Sequence, residues 1–528
     1  MSNSKKIYSQ HHFMFPFRWD ILNQGFGPED IKENIAFDKR TDLIDGIPDK
    51  FGQWKRTKYT LEDAKGAISP EAYNEFTYFH EFVTRAIFDF DYPFKKNQAI
   101  VKYFEFQLDK NLENQYLIEY LEDNQTHELA LDLDGITLHL FNTGVGVLSY
   151  NVSNNKYADK ETILKINEFG RRIYPQFLGN QGIIDTKNNF LAHKISLITN
   201  SQLLAVEDFS WYDLHQNRPN AVEPYRLPSF ITELFTEQFV FRIPSPLSKE
   251  SVLISKVGDD RMFFQSWYAE KNIAKQISST YDKIEDEIKL DWLFCYVFGD
   301  KKSPSIANTK MKWKLLNEHT YKRWIEYGTV YGMTRDSFVC IEDGVGLGNL
   351  IQTHMQKIYY TISILCLAQR ASVLKFTAEV ANLADLAKME QDKKFITNIK
   401  DLYKNYIEFI NKLYFREITP QIQGIEIYAQ FQKVLNHKDE IRDLDNEINE
   451  LHSYVSLIQD SQRNEEASQL NKWASIFLPA TIVFGILGAN IFGENFSESF
   501  FKVSTCGWII AGFIPSLLFY IYYKIKRK

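Results

Sequence analysis

A chain of 528 residues with 61 basic and 68 acidic side chains carries a net charge of −7, which argues against nucleic acid as the main partner, because phosphate binding needs a basic surface. That length exceeds what one hydrophobic core usually holds, so two soluble domains and a helical connector are expected. The four cysteines Cys295, Cys340, Cys366 and Cys506 are scattered without a Cys-x-x-Cys pair, as in a reducing compartment, and predict neither a disulfide nor a thiolate metal site.

The amino end, MSNSKKIYSQHHFMFPFRWD, has no continuous apolar stretch and no cleavage-like site, so no signal peptide is expected. His11-His12 within it read as a surface pair in a polar tail. Between residues 98 and 150 the runs QAIVKYFEFQL, NQYLIEYLE, HELALDL and GITLHLFNTGVGVLSYNV alternate apolar and polar residues between Asp/Asn/Gly turns, the pattern of an antiparallel meander. Lys160–Gln176 then has apolar residues near helical spacing and stops close to Pro175. Residues 1–200 are therefore expected to form an α/β cytosolic domain.

A second cytosolic region, 201–420, reads as α-rich. It has strand-like SVLISKV, RMFFQSWY and DSFVCIED, helical stretches around 269–297 and 309–327, a loop NRPNAVEPYRLP at 217–228, and a helical pattern almost throughout Asn349–Phe415. Asp259-Asp260-Arg261 looks like a turn before a strand, without a third group at catalytic spacing. Gly344, Gly346 and Gly348 precede the helical segment and are a candidate for amides facing an anion or nucleotide at a helix start. They lack the lysine and Ser/Thr of a phosphate loop, so a plain turn is the alternative.

Beyond Thr419-Pro420, Ile441, Leu444, Ile448, Leu451, Val455 and Ile458 recur at spacings of three and four, a narrow seam suited to packing against copies of itself or a neighbouring helix. No Pro or Gly interrupts the polar stretch 459–471, so one stalk helix over 421–472 is predicted to continue into the apolar run that follows. Residues 437–466 hold nine acidic and three basic side chains, so parallel copies would form a negative funnel that concentrates cations. A solvated helix face is the plainer reading.

Two uncharged apolar runs close the chain, 473–492 and 503–523, joined by the loop 493–502 and followed by the basic tail 524–528. Each is about long enough to cross a bilayer as a helix, at about 1.5 Å rise per residue over roughly 30 Å. Lys472 and the tail residues Lys524, Lys526, Arg527 and Lys528 flank a loop that holds Glu494, Glu498 and a single lysine, which predicts cytoplasmic termini in a bacterial inner membrane. The fold class expected is an α+β cytosolic domain, a long stalk helix and two C-terminal transmembrane helices.

The first run, from Ser475 through Pro479, Thr481, Gly485 and Gly488 to Asn490, ends in Gly488-Ala489-Asn490. Here the chain resembles the CorA family of divalent-cation transporters, whose signature is a Gly-Met-Asn triplet closing the first of two C-terminal helices. This chain departs at the middle position, where Ala489 stands for methionine. The resemblance implies a funnel-shaped homopentamer with the first helix lining the pore, and Gly488, Ala489 and Asn490 as the selectivity filter. A ring of Asn490 amides would hold a hydrated divalent ion, with Mg²⁺ the expected cargo, because that ion keeps its water shell and suits neutral oxygens. Thr481 would add a second oxygen ring, Leu478 and Leu470 would form apolar gates, and Gly485 would permit close helix approach. Ordinary helix packing is the alternative for each. Glu494 and Glu498 would draw cations to the outer mouth, and Lys524, Lys526, Arg527 and Lys528 would form a basic collar inside, unless these residues are merely solvated or set topology.

LKINEFGRRIYPQF (164–177), YKRWIEYGTVYGMTRDSFVCI (321–341) and NKLYFREITPQIQGIEIY (411–428) resemble a divergent bacterial subgroup of CorA-like proteins found beside type III CRISPR loci. That likeness implies an antiviral membrane effector opened by a nucleotide second messenger, with no ligand residue identified. The leading expectation is a non-enzymatic, oligomeric channel without a covalent cofactor, partnered by lipid, hydrated divalent cations and further copies of itself. A non-conducting membrane-anchored receptor is the alternative.

Overall fold

The computed structural model describes residues 6–22, 53–63, 65–90, 99–174, 188–212, 226–235, 239–241, 251–280, 290–345, 348–387 and 393–488, with Ile514 and Ile521. Its strands are β1 Ser9–Leu22, β2 Trp54–Arg56, β3 Val101–Phe106, β4 Gln115–Glu122, β5 Gln125–Phe141, β6 Val145–Asn154, β7 Lys194–Thr199, β8 Gln202–Asp208, β9 Phe239–Val240, β10 Ser251–Lys256, β11 Phe263–Ala269, β12 Thr320–Tyr321, β13 Val330–Met333 and β14 Ser337–Glu342. The helices that matter below are α1 Pro70–Tyr78, α2 Lys160–Arg171, α3 Asp291–Phe298, α4 Gly348–Gln356, α5 Ile358–Ala387, α6 Lys393–Lys412, α7 Ile422–Val434 and α8 His437–Gly488. The architecture is mixed α+β, a large sheet with long helices.

All fourteen of these strands join one sheet whose main path is β12-β13-β14-β11-β1-β6-β5-β4-β7-β8. The two cytosolic regions expected on either side of residue 200 therefore share a sheet, because β1 pairs with β6 along one edge and with β11 and then β10 along the other. Pro16 interrupts β1 without breaking it. It sits where the strand changes partner, between Met14, opposite β11, and Phe17, opposite β10, a place where a missing N–H is tolerated.

β1 corrects an expectation from the sequence. The segment with His11 and His12 is not a polar tail but the central strand; its side chains are buried on both faces from Ser9 to Phe15, and burial alternates only from Phe15 to Ile21. His11 Nδ1 lies 2.7 Å from Asn167 Oδ1 and His12 Nδ1 lies 2.8 Å from Asn151 Oδ1. Burial pushes both imidazoles down, to about 3 and about 4, and keeps them neutral.

One sheet face carries Phe13, Phe15, Phe17 and Trp19 of β1 with Leu129, Leu131 and Leu133, then Ile136, Leu138 and Leu140, of β5. The switch from odd to even numbers follows from a bulge between Leu133 and Gly135, which keeps both halves of β5 pointed at the same core. On this face α2 starts at Asp159, whose carboxylate accepts the Thr162 N–H at 2.8 Å, and packs Ile163, Ile166 and Phe169 inward. The opposite face meets α5. Thr137 Oγ1 lies 2.7 Å from Tyr360 Oη, Thr143 Oγ1 lies 3.0 Å from Ser372 Oγ, and the Ser363 hydroxyl donates to Gln265 at 2.7 Å. The far side of α5 is covered too, since Gln369 donates to the Leu413 carbonyl and to Tyr428 Oη of α7. A helix enclosed in this way is apolar around most of its girth.

Between 421 and 488 the single predicted helix is in fact two, α7 and α8. Asn436 adopts φ +55°, a left-handed conformation that asparagine tolerates and that ends a helix as glycine does. Within the seam of α8, Ile441, Leu444, Ile448 and Val455 are buried inside the single chain. Residues 460–471 are exposed throughout.

Candidate functional site

The pore residues expected from the sequence fall partly on α8. Leu470, Leu478 and Thr481 lie on it and are exposed, as are Trp473, Phe477 and Ile482, a concentration of large apolar side chains facing outward from a single chain. The Thr481 hydroxyl donates to the Phe477 carbonyl at 2.9 Å. Nothing lies within 4 Å of a Cβ built on Gly485, so its flank is open to another helix. Gly488 ends α8. Ala489, Asn490, Glu494, Glu498, Lys524, Lys526, Arg527 and Lys528 lie outside the described residues. Among the described residues no helix is long and apolar enough to cross a membrane, and the run 503–523 is outside them apart from Ile514 and Ile521.

The glycine triplet is placed more definitely. Gly344 takes φ +70°, Gly346 lies outside the described residues, and Gly348 opens α4. A Cβ on Gly348 would stand 2.9 Å from Glu342 Oε2, so the start of α4 already faces a carboxyl group of the chain's own. Glu342 is buried, and burial pushes its pKa up to about 7, partly opposed by the Gly344 backbone N–H and the Trp267 side chain. An added phosphate would meet that acid rather than an empty amide nest.

Asp260 is indeed in a turn, but it belongs to a buried charge network. Glu168 accepts from Arg171 through Nε at 3.2 Å and Nη2 at 2.7 Å, and from Arg172 through Nε at 3.0 Å and Nη2 at 2.6 Å. Arg172 also pairs with Asp260, and Arg171 donates to the Gly299 carbonyl at 2.8 Å, at the end of α3. Burial pushes the Glu168 carboxyl up, and the two guanidiniums more than offset this, leaving it below the ordinary range. Each charge is paired, so the network is structural cement between α2, α3 and the Asp260 turn.

A site that the sequence did not single out lies on the α5 side of the sheet. A cavity of about 350 Å³ is bounded by β3, β5 and β6, by α1, and by the first turns of α5. Glu75 of α1 is buried in its wall and accepts the hydroxyls of Tyr59 at 3.1 Å and Thr361 at 2.7 Å. Among the described residues no cation stands within ion-pair distance of it. Burial pushes its carboxyl up, partly opposed by Thr361 and by the charge of Lys357. Three rings line the same space: His139 lies 4.9 Å from Tyr103 and 6.1 Å from Tyr360, centre to centre. Burial holds His139 neutral, with a pKa of about 3, and among the described residues its buried Nδ1 has no hydrogen-bond partner. Glu75, Tyr103, His139 and Tyr360 come from four separated segments, and only the overlap of sheet and helix brings them together.

No family model matches the chain, and no curated protein does. Among solved structures, the CorA magnesium transporter from Methanocaldococcus jannaschii matches at 12% identity over 50% of this chain and 93% of that one, with a TM-score of 0.19. A superposition that loose carries no argument about fold or mechanism.

Proposed function

We propose that the protein is an oligomeric divalent-cation channel of a bacterial cytoplasmic membrane whose cytosolic body controls a pore lined by 473–490. The observation that carries this reading is the course of α8. It passes through a polar stretch that ends with exposed Leu470 and enters an apolar segment with exposed Leu478 and Thr481 that stops at Gly488, immediately before Ala489-Asn490. Two apolar helices from one subunit cannot enclose an aqueous path, so copies of the chain would supply the rest of the wall, five of them by likeness to CorA. Polar oxygens at Thr481 and Asn490 suit a hydrated Mg²⁺, which gives up its water reluctantly. An inside-negative potential of about 100 mV drives a divalent ion with roughly 4.6 kcal/mol, so no nucleotide hydrolysis is required. Opening by a nucleotide messenger in antiviral defence rests on the resemblance of 164–177, 321–341 and 411–428 alone.

The test is Mg²⁺ uptake into proteoliposomes holding the full-length protein, with Asn490→Ala beside the wild type. Flux in the wild type that is reduced or altered in selectivity by Asn490→Ala is the expected result. Intact oligomers without flux under any ionic condition would leave the second hairpin role, a non-conducting membrane anchor, as the better account.

A further inference from the structure

Among the described residues, the partly open cavity walled by Glu75 carries chemistry unused by the fold. A carboxylate committed only to structure is normally met by a cation, as Asp89 is met by Arg56 at 2.8 Å in the same region. Glu75 is met at hydrogen-bond distance by two hydroxyls instead, and the Lys357 ammonium of the same lining acts on it only through space. Beside it stand the faces of Tyr103, Tyr360 and a neutral His139, and the Tyr103 and Tyr360 hydroxyls are engaged by Glu105 and Thr137, so these rings offer π surface rather than polar tips.

From this geometry we infer that the cavity binds a small organic cation with a flat, N–H-bearing head, its charge against Glu75 and its face against Tyr103, His139 and Tyr360. Several features favour that class over others. Aromatic faces attract cations and repel anions. A carboxylate accepts paired N–H donors from a planar amidinium or guanidinium group. Glu75, set among rings and with the Lys357 charge in the same lining, gives too poor a donor set for a hard divalent cation such as Mg²⁺ or Ca²⁺, which takes six or more oxygens. A volume of about 350 Å³ lies at the small end of organic-ligand pockets. Nδ1 of His139 supplies an otherwise idle hydrogen-bonding position for a second polar group on the ligand. The site stands independently of the channel reading.

The wall helix α1 also reaches beyond the cavity. Its last residue, Tyr78, accepts the Thr419 hydroxyl through its carbonyl, its Oη stands 2.5 Å from the position of a Cβ on Gly424 of α7, and the neighbouring His80 lies 2.9 Å from Glu417. A ligand that repositions α1 therefore acts on the chain that leads into α7.

Benzamidinium is a suitable probe, with benzamide and benzoate as neutral and anionic counterparts of the same shape. Calorimetric titration of the full-length protein in detergent should give saturable benzamidinium binding, roughly tenfold tighter than benzamide, with no benzoate binding. Glu75→Gln, which keeps the acceptor for Tyr59 and Thr361, should lower benzamidinium affinity roughly tenfold and leave that of benzamide nearly unchanged. Tyr360→Leu should weaken binding about fivefold through loss of the ring face. Should the three-ligand comparison on the unaltered protein show benzoate binding as well as benzamidinium, or no benzamidinium binding, the assignment fails. Equal benzamidinium affinity in folded Glu75→Gln, confirmed by an unchanged circular dichroism spectrum, would also overturn it.

Discussion

Glu168→Gln removes half a charge balance from the interior while keeping size and shape. Glu168 is 3% exposed and takes four N–H bonds from Arg171 and Arg172. With a neutral amide in its place, Arg172 retains Asp260, whereas Arg171 is left with the Gly299 carbonyl and no carboxylate. An unmatched buried charge costs about 3–5 kcal/mol, and that is the loss expected in chemical denaturation followed by tryptophan fluorescence. Replacing both partners, as Glu168→Leu with Arg171→Leu, should cost only about 1–2 kcal/mol, chiefly the lost bond to Gly299, because no charge is stranded. The double variant should therefore be more stable than Glu168→Leu alone. The reasoning is refuted if the single Gln variant loses less than about 1 kcal/mol, or if the losses of the two single leucine variants simply add in the double.

Glu342→Gln should act in the opposite direction. Because the folded pKa of Glu342 is raised to about 7, the wild type binds more protons folded than unfolded, so this group's cost is absent below the unfolded pKa near 4.5 and grows as pH rises toward 7. The variant should gain about 1–3 kcal/mol at pH 8 and show a flatter stability profile between pH 4.5 and 7, read by urea titration at each pH. Gly170→Ala drives a methyl to within 2.4 Å of the buried Phe13 ring and should cost about 1–3 kcal/mol, where an exposed helical position would gain from the same change; thermal melts distinguish the two. Saturating benzamidinium should slow amide exchange in 415–424 as well as in α1 if Tyr78 carries the cavity's state to α7, and protection confined to α1 would limit the site to local binding.

The meander between 98 and 150 was legible because β3, β4 and β5 place alternate residues in and out of a core, and α2 because its apolar residues recur near helical spacing and stop close to Pro175. β1 hid for the complementary reason. Its first half is covered on both faces and carries two histidines satisfied by Asn151 and Asn167, which read as a polar tail, and Pro16 stands within the alternating half, where it argues against a central strand. The end of α7 at Asn436 was invisible to a reading that looked for Pro or Gly, since a left-handed asparagine breaks a helix with no such signal. The cavity needed coordinates altogether, because Glu75, Tyr103, His139 and Tyr360 share no spacing or motif. The Gly488-Ala489-Asn490 motif is the reverse case, distinctive as sequence while only Gly488 falls among the described residues.

The solvated stretch of α8 has a consequence for how the protein ages. From Asp460 to Asn471 no side chain is tucked against the rest of its own chain, and a helix of about a dozen residues has little intrinsic stability in water. A solitary subunit would open there transiently and offer Arg463 and Lys472 to trypsin, releasing the body intact from its apolar end. Under the proposed assembly, neighbouring stalks standing alongside would close that route, and the rate of nicking at these two positions would then report whether copies of the chain have come together.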